Sequence, residues 1–356
     1  MAPLSPDKSP AKKMPDTDDA TDNPGEWKRH PELYMPDGTM VLLTSNTVFR
    51  VYPGLLSKHS EVFRDMTCLS NCQPPNAEIY DGCPVVRLTD DPEDLAFFLA
   101  TTMGLQYVLS RLLLWSIYSR SYSLISQFYI NQPISFLGAA AVLRLSSKYM
   151  VEPLRRQAIA HFALIIPLSL DDIGGRPSYD FVFGNDTPHP FELVSLFHEC
   201  QITPALPWAY YMACRLGVDE LLNGAVHNGR AVQLTGEKSH IALKGWTVLR
   251  DDTLRIRRET VMRRSLNCTG GFCNDSMRLT WLNFIFTPET RTDPMGQWGP
   301  FESLTRSGKD KPCSECATTW LKSEKAARDK VWANLPQTFK LPPWEELEND
   351  DMSMSS

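Results

Sequence analysis

Thr39 to Leu43 and Val48 to Tyr52 are two short apolar runs, rich in valine and leucine, with a polar turn at Asn46 and Thr47 between them. Such a pattern pairs as a β-hairpin. Pro36-Asp37-Gly38 supplies the turn into the first run, and Pro53-Gly54 ends the second. Leu55, Leu56, His59, Val62, Phe63 and Met66 then recur at spacings of one, three and four, which makes an amphipathic helix. Its apolar stripe has to be hidden, and the hairpin is the nearest surface that can hide it. The start of the chain is thereby committed to an α+β framework.

The pattern continues in the same style. Gly82 to Leu88 reads as a third strand, and Thr89 or Asp90 can cap a helix over 92–101, with Pro92 near its first position and Glu93 and Asp94 at its positive end. Met103 to Ile117 is almost wholly apolar but contains Arg111, and it is shorter than the roughly 20 residues a bilayer span needs. No membrane segment is expected. Pro133 opens a helical stretch to Met150 with Leu137, Ala141, Leu145 and Tyr149 on one side, and Val151 to Ile166 extends it past Pro153. The glycines and prolines of 168–190 read as a linker. Beyond it, Phe191 to Cys200, Leu206 to Leu216 and Ala231 to Arg264 have helical character, so 191–347 reads as a mostly helical region.

A length of 356 residues allows about two domains of roughly 150 residues. Residues 1–29 have little to bury and read as a disordered arm, and 348–356 as a disordered acidic tail. The arm lacks the apolar core of a secretory signal, which points to an intracellular chain, cytoplasmic or nuclear. With 36 basic residues and a formal charge of −6, the chain lacks the broad positive field of a nonspecific nucleic-acid binder. Its densest basic run, Arg250, Arg255, Arg257, Arg258, Arg263 and Arg264, is interleaved with Asp251, Asp252 and Glu259, as on a solvated or salt-bridged helix. The sequence holds no dinucleotide fingerprint, P-loop, zincin or nucleophile-elbow motif, and its seven histidines are scattered. A noncatalytic protein is expected.

Nine cysteines are too few for a disulfide-stapled module. Four of them form two close pairs, Cys268-x4-Cys273 and Cys313-x2-Cys316. Thiolates at such spacings can each take one side of a tetrahedral zinc, with Gly270-Gly271 and Lys311-Pro312 providing the turns. One structural zinc and a set of inert reduced thiols are the two readings. In the first, Met277 to Ile285, Trp298 and Phe301 can fill a small core around the metal.

Residues 33–67, LYMPDGTMVLLTSNTVFRVYPGLLSKHSEVFRDMT, resemble the opening of a BTB/POZ domain, with Asp37, Phe49, Val51, Leu55, Leu56, Ser60, Phe63 and Met66 at the matching places. GCPVVRLTDDPEDLAFFL is similar to that domain's third strand and next helix, and PISFLGAAAVLRLSSKYMVEPLRRQAI to its closing helical pair. The similarity is nearest to the BTB proteins abundant in mushroom-forming fungi, and extends to the late cysteines and to ARDKVWANLPQTFKLPPWEEL, Ala327 to Leu347. It departs in two places. Tyr52 and Pro53 stand where the family commonly has His and Arg, leaving only Asp37 of a charged partner pocket, and an apolar insertion occupies about 102–120.

The resemblance implies a BTB/POZ fold over 30–167, a short mixed sheet flanked by helices, followed by the helical C-terminal region. It implies a scaffold that forms homo-oligomers through the N-terminal region and first helix and binds an unknown protein ligand. Asp37, Val48, Phe49, Leu55, Leu56 and Phe63 are the interaction candidates on that view. A substrate adaptor that recruits a cullin through the second and third helices is the alternative. Zinc-assisted transcriptional regulation is a further reading, opposed by the acidic total charge.

Overall fold

The computed structural model describes residues 27–71, 78–104, 133–262, 265–269, 273, 293–295 and 313–347. Most of the arm, the tail, the insertion from 105 onward and the aromatic filler between the cysteine pairs lie outside the described residues. Five strands make one mixed sheet: β1 (Lys28–Tyr34), β2 (Met40–Thr44), β3 (Thr47–Val51), β4 (Ile79–Tyr80) and β5 (Cys83–Leu88), in the order β1-β3-β2-β5-β4. β2 and β3 form the expected hairpin, with Leu42 opposite Phe49. β5 returns parallel to β2 on its other side, Leu42 beside Val86. Successive side chains of a strand point to opposite faces. Met40, Leu42, Phe49 and Val51 therefore enter the main core, while Val41, Leu43, Val48 and Cys83 make a smaller cluster beneath Trp27, Tyr34, Tyr80 and Val85.

The amphipathic stripe after the hairpin forms two helices, α1 (Pro53–His59) and α2 (Glu61–Asn71). Ser60 makes the break, with an extended backbone at φ −130°. Its hydroxyl oxygen accepts the Phe63 N–H at 3.1 Å and its O–H donates to the Tyr149 carbonyl at 2.6 Å. A buried hydroxyl is thus satisfied twice while it starts α2. Phe63, Phe98 and Tyr149 meet as a ring cluster with centroids 4.6, 5.5 and 6.3 Å apart. That cluster joins α2 to α3 (Pro92–Thr102) and to the end of α4 (Phe136–Lys148), which packs on α5 (Glu152–Ala163).

Besides the split at Ser60 and the short strand β4, the structure corrects the sequence reading in four places. β1 starts at Lys28, pairing Lys28 with Thr47 and Arg29 with Val48, so the arm is shorter than 29 residues. The cap of α3 is Asp91, which accepts the N–H groups of Glu93 at 2.8 Å and Asp94 at 3.2 Å, rather than Thr89 or Asp90. The supposed linker holds a 3-10 turn, Leu170–Gly175, and α6 (Tyr179–Phe183). Val182 and Phe183 there are buried in the core that runs from Leu33 to Phe339, so packing is continuous across the expected boundary. The fourth correction lies in the C-terminal region, which consists of α7 (Pro190–Glu199), α8 (Leu206–Cys214), α9 (Val218–Asn223), α10 (Glu237–Met262), α11 (Ser314–Ala333), α12 (Leu335–Thr338) and α13 (Trp344–Leu347). It also contains an unexpected hairpin, β6 (Ala225–His227) with β7 (Arg230–Val232). Asn228 and Gly229 turn it, both at positive φ, 49° and 75°, as a type I′ turn demands.

The end of the chain folds back on this body. Trp344 stacks on Trp332 at 5.1 Å and donates its indole N–H to the Trp332 carbonyl at 2.8 Å. Phe339 stacks on Tyr210 at 5.0 Å and lies directly over Gly245 of α10, where a Cβ would come within 2.2 Å of the ring. Phe339 is fully buried and has no room to swing away. Gly245→Ala is therefore expected to lower stability by about 1–3 kcal/mol through overpacking. Urea unfolding should show an earlier midpoint at an unchanged slope. A midpoint equal to that of the parent would mean the ring does not sit on α10.

Candidate metal centre

The second cysteine pair straddles the start of α11. Cys313 is the N-cap residue and Cys316 follows three positions later, so one face of the first turn carries both sulfurs. The unpaired N–H groups and dipole of a helix N-terminus favour negative sulfur there. The first pair arrives on a tight turn in which the Cys268 N–H donates to the Ser265 carbonyl at 3.2 Å. Across the site, the Cys313 N–H donates to Cys273 Sγ at 3.2 Å.

All four sulfurs lie within 4.8 Å of one another, and Cys313 Sγ is 3.8 Å from Cys268 Sγ. A tetrahedral metal with bonds of about 2.3 Å to sulfur holds its ligands about 3.8 Å apart. The spacing fits that geometry, and it is far longer than the bond of about 2.05 Å in a disulfide. Cys273 and Cys316 are buried, whereas Cys268 and Cys313 are half-buried. The N–H groups of Cys316 and Thr269 push the Cys313 thiol down to about 6. Burial pushes Cys316 up to about 12, reinforced by the sulfur of Cys313, and burial also raises Cys273. One thiolate forms readily and the next ones are opposed, a conflict that a divalent cation in the middle removes. Four sulfur donors leave no open position for water, so the chemistry this set can supply is structural.

The centre is tied to the helical body. Lys325 of α11 reaches Asp171 at 2.6 Å, and Arg328 donates to the carbonyl of buried Met295 at 3.0 Å. Asp293 accepts from the Tyr211 hydroxyl and pairs with Arg215 at 3.0 Å. The 293–295 segment thus links α11 to α8, and α11 also reaches the 3-10 turn at Asp171.

The six interaction candidates divide unevenly. Val48, Phe49, Leu56 and Phe63 are fully buried, so these four interaction candidates are core residues and the set does not form one exposed face. β3 runs between β1 and β2, so Val48 and Phe49 are covered on opposite faces of the sheet, while Leu56 and Phe63 form the inward stripe of α1 and α2. Leu55 is 43% exposed on α1. Asp37 is exposed as well and accepts a hydrogen bond from the Tyr52 hydroxyl.

Other reactive groups are engaged in packing. His198 bonds the Tyr210 hydroxyl at 2.8 Å, and burial pushes the Cys200 thiol up to about 11. Arg250 lies over the Trp246 ring at 5.4 Å and Arg255 pairs with Asp252, as expected of a salt-bridged helix, while Arg263 and Arg264 lie outside the described residues. A cleft of ≈ 710 Å³, absent from the sequence reading, is lined by residues that include Asp90, Asp94, Arg144, Lys148, Met150 and Glu199. Arg144 bridges Asp94 at 3.3 Å and Glu199 at 2.9 Å. Burial raises the Asp94 carboxyl despite that arginine. The lining comes from segments far apart in the chain, so no local motif marks it.

Among the described residues no helix is long and apolar enough to cross a membrane. Comparison with protein-family models, curated proteins and solved structures finds no match to this chain.

Proposed function

We propose that the chain is a noncatalytic protein-interaction scaffold of BTB/POZ type, which self-associates around its first helix and carries one structural zinc on Cys268, Cys273, Cys313 and Cys316. The order of elements supports the first part: a hairpin, a helix pair, a strand returning parallel to the first hairpin strand, then α3 and the α4–α5 pair on the same core. That is the order the resemblance implies. Leu55 supports a contact at α1, because it stands exposed beside exposed Gly54 while its neighbour Leu56 holds the helix to the core. Its place on the helix to which the resemblance assigns self-association makes it the side chain to test.

Sedimentation at tens of micromolar should give a dimer, and Leu55→Glu should shift it toward monomer with an unchanged circular dichroism spectrum. A monomeric parent protein overturns the self-association reading. For the metal, protein prepared without added zinc should contain about one equivalent by elemental analysis, and joint replacement of Cys313 and Cys316 by serine should abolish it. Zinc that persists after both replacements rules out this ligand set.

A cullin adaptor is the second reading, favoured by the charged cleft at the start of α3 and by Met150 in its lining, 62% exposed. On that reading the protein captures a cullin and Met150→Glu weakens capture at least tenfold, a loss of about 1.4 kcal/mol. A parent protein that captures no cullin removes the adaptor and leaves the scaffold.

A further inference from the structure

We propose that the four-cysteine centre is an oxidation-sensitive clasp, in which hydrogen peroxide joins Cys268 to Cys313 as a disulfide and releases the zinc. The inference rests on the zinc reading and adds a reaction that a purely structural centre need not perform. The four sulfurs differ in access: Cys273 and Cys316 are 7% and 0% exposed, whereas Cys268 and Cys313 are half-buried. The two more exposed cysteines have their sulfurs 3.8 Å apart, inside the cluster in which all four lie within 4.8 Å, so exposure rather than distance selects this pair. An oxidant arriving from solvent therefore meets two neighbouring sulfurs and not the inner pair.

The backbone around them can close the remaining gap. Cys268 sits on a turn whose residues Leu266, Asn267 and Thr269 are all exposed, with Leu266 standing completely clear of the protein. Cys313 caps α11 and its carbonyl accepts the Ala317 N–H at 3.0 Å, so a rotation of its side chain alone can bring the sulfur closer without disturbing the helix. Cys316 lies inside the helix and fully buried, and has no such freedom.

The chemistry balances with peroxide as the only oxidant. One accessible sulfur attacks a peroxide oxygen, forming an S–O bond as the O–O bond breaks and water leaves. The other sulfur attacks that sulfenic sulfur, forming the S–S bond and expelling the oxygen as a second water. The two sulfurs lose two electrons and peroxide gains them. Cys273 and Cys316 each take up a proton as the zinc leaves, because two remaining thiols cannot hold it. Four protons are consumed in all, two in the waters and two on the thiols.

The test treats purified full-length protein with hydrogen peroxide, follows zinc with a chromogenic chelator, and maps disulfides by non-reducing peptide analysis. The expected result is release of about one zinc per chain in step with a Cys268–Cys313 link, reversed by dithiothreitol and added zinc. Cys68→Ser, which removes an exposed thiol outside the centre, should leave release unchanged. Zinc that stays bound while peroxide oxidises Cys68 in the parent protein overturns the clasp alone. So does release accompanied by any other pairing. A chain isolated without zinc overturns the metal reading and the release step together, so the two failures are distinguishable.

Discussion

A strand with every side chain buried persists only if both its faces are covered and both its edges are hydrogen-bonded. β2 is such a strand, and the N-terminal half is arranged to satisfy it. Its edges are taken by β3 and β5, which forces the chain to cross over after the hairpin and brings α1 and α2 onto one face. The opposite face has a thinner cover. Trp27 packs at a tilt against Tyr80 with centroids 5.2 Å apart, Arg87 lies over Trp27 at 5.5 Å, and Arg29 lies over Tyr34 at 4.7 Å. β1 and the β4–β5 hairpin deliver those rings, so even the outermost strands serve the burial of the central one.

That dependence explains what the sequence discloses. Elements that bury a continuous stripe were legible: the β2–β3 hairpin, α3, α4, α7 and α8 all fall where periodicity places them. β1 was not, because KRHPELY is polar and contains Pro31. An edge strand tolerates a residue without an N–H, and the register of β1 slips between Arg29 and Tyr34 to accommodate it. There the His30 ring accepts the N–H groups of Glu32 and Leu33, at 3.2 and 3.1 Å. The split between α1 and α2 was hidden for a different reason. Ser60 leaves the helix because its hydroxyl is shared with Tyr149, which lies 89 positions away and which no local pattern reveals. The two unanticipated hairpin turns, Asp81-Gly82 and Asn228-Gly229, did carry a signal. Both residues of each turn lie at positive φ, and these dipeptides are the ones a two-residue hairpin prefers.

Site residues follow the same division. The clustering of the four cysteines could be read from spacing because cysteine is rare and these four come in two close pairs. The interaction set could not, since an apolar stripe identifies what is hydrophobic but not which members face inward. Leu55 and Leu56 are adjacent and chemically identical, yet one is 43% exposed and the other fully buried. Their separation is decided by the tilt of α1 on the sheet, which Ser60 and the α2 contact set. The cleft escaped for the opposite reason, because its charges are held by tertiary pairs such as Lys148 with Asp90 and Arg144 with Glu199.

The cysteine centre addresses a problem that the core leaves open. Cys273 and Cys313 are 40 positions apart, and holding them together closes a long loop at the edge of the helical body. In the chain-entropy account of a crosslink, closing a loop of this length removes freedom from the unfolded chain worth about 4 kcal/mol. On the folded side, the centre fixes the first turn of α11. The remainder of that helix is held by buried Trp320 and Val331, and its C-terminal end by the Trp332–Trp344 stack. α11 is thus pinned at one end by apolar packing and at the other by sulfur. Loss of the sulfur contacts should loosen the first turns of α11 and the segments anchored there while leaving the sheet, α3 and the α4–α5 pair in place, because none of the contacts around β2 passes through the four cysteines.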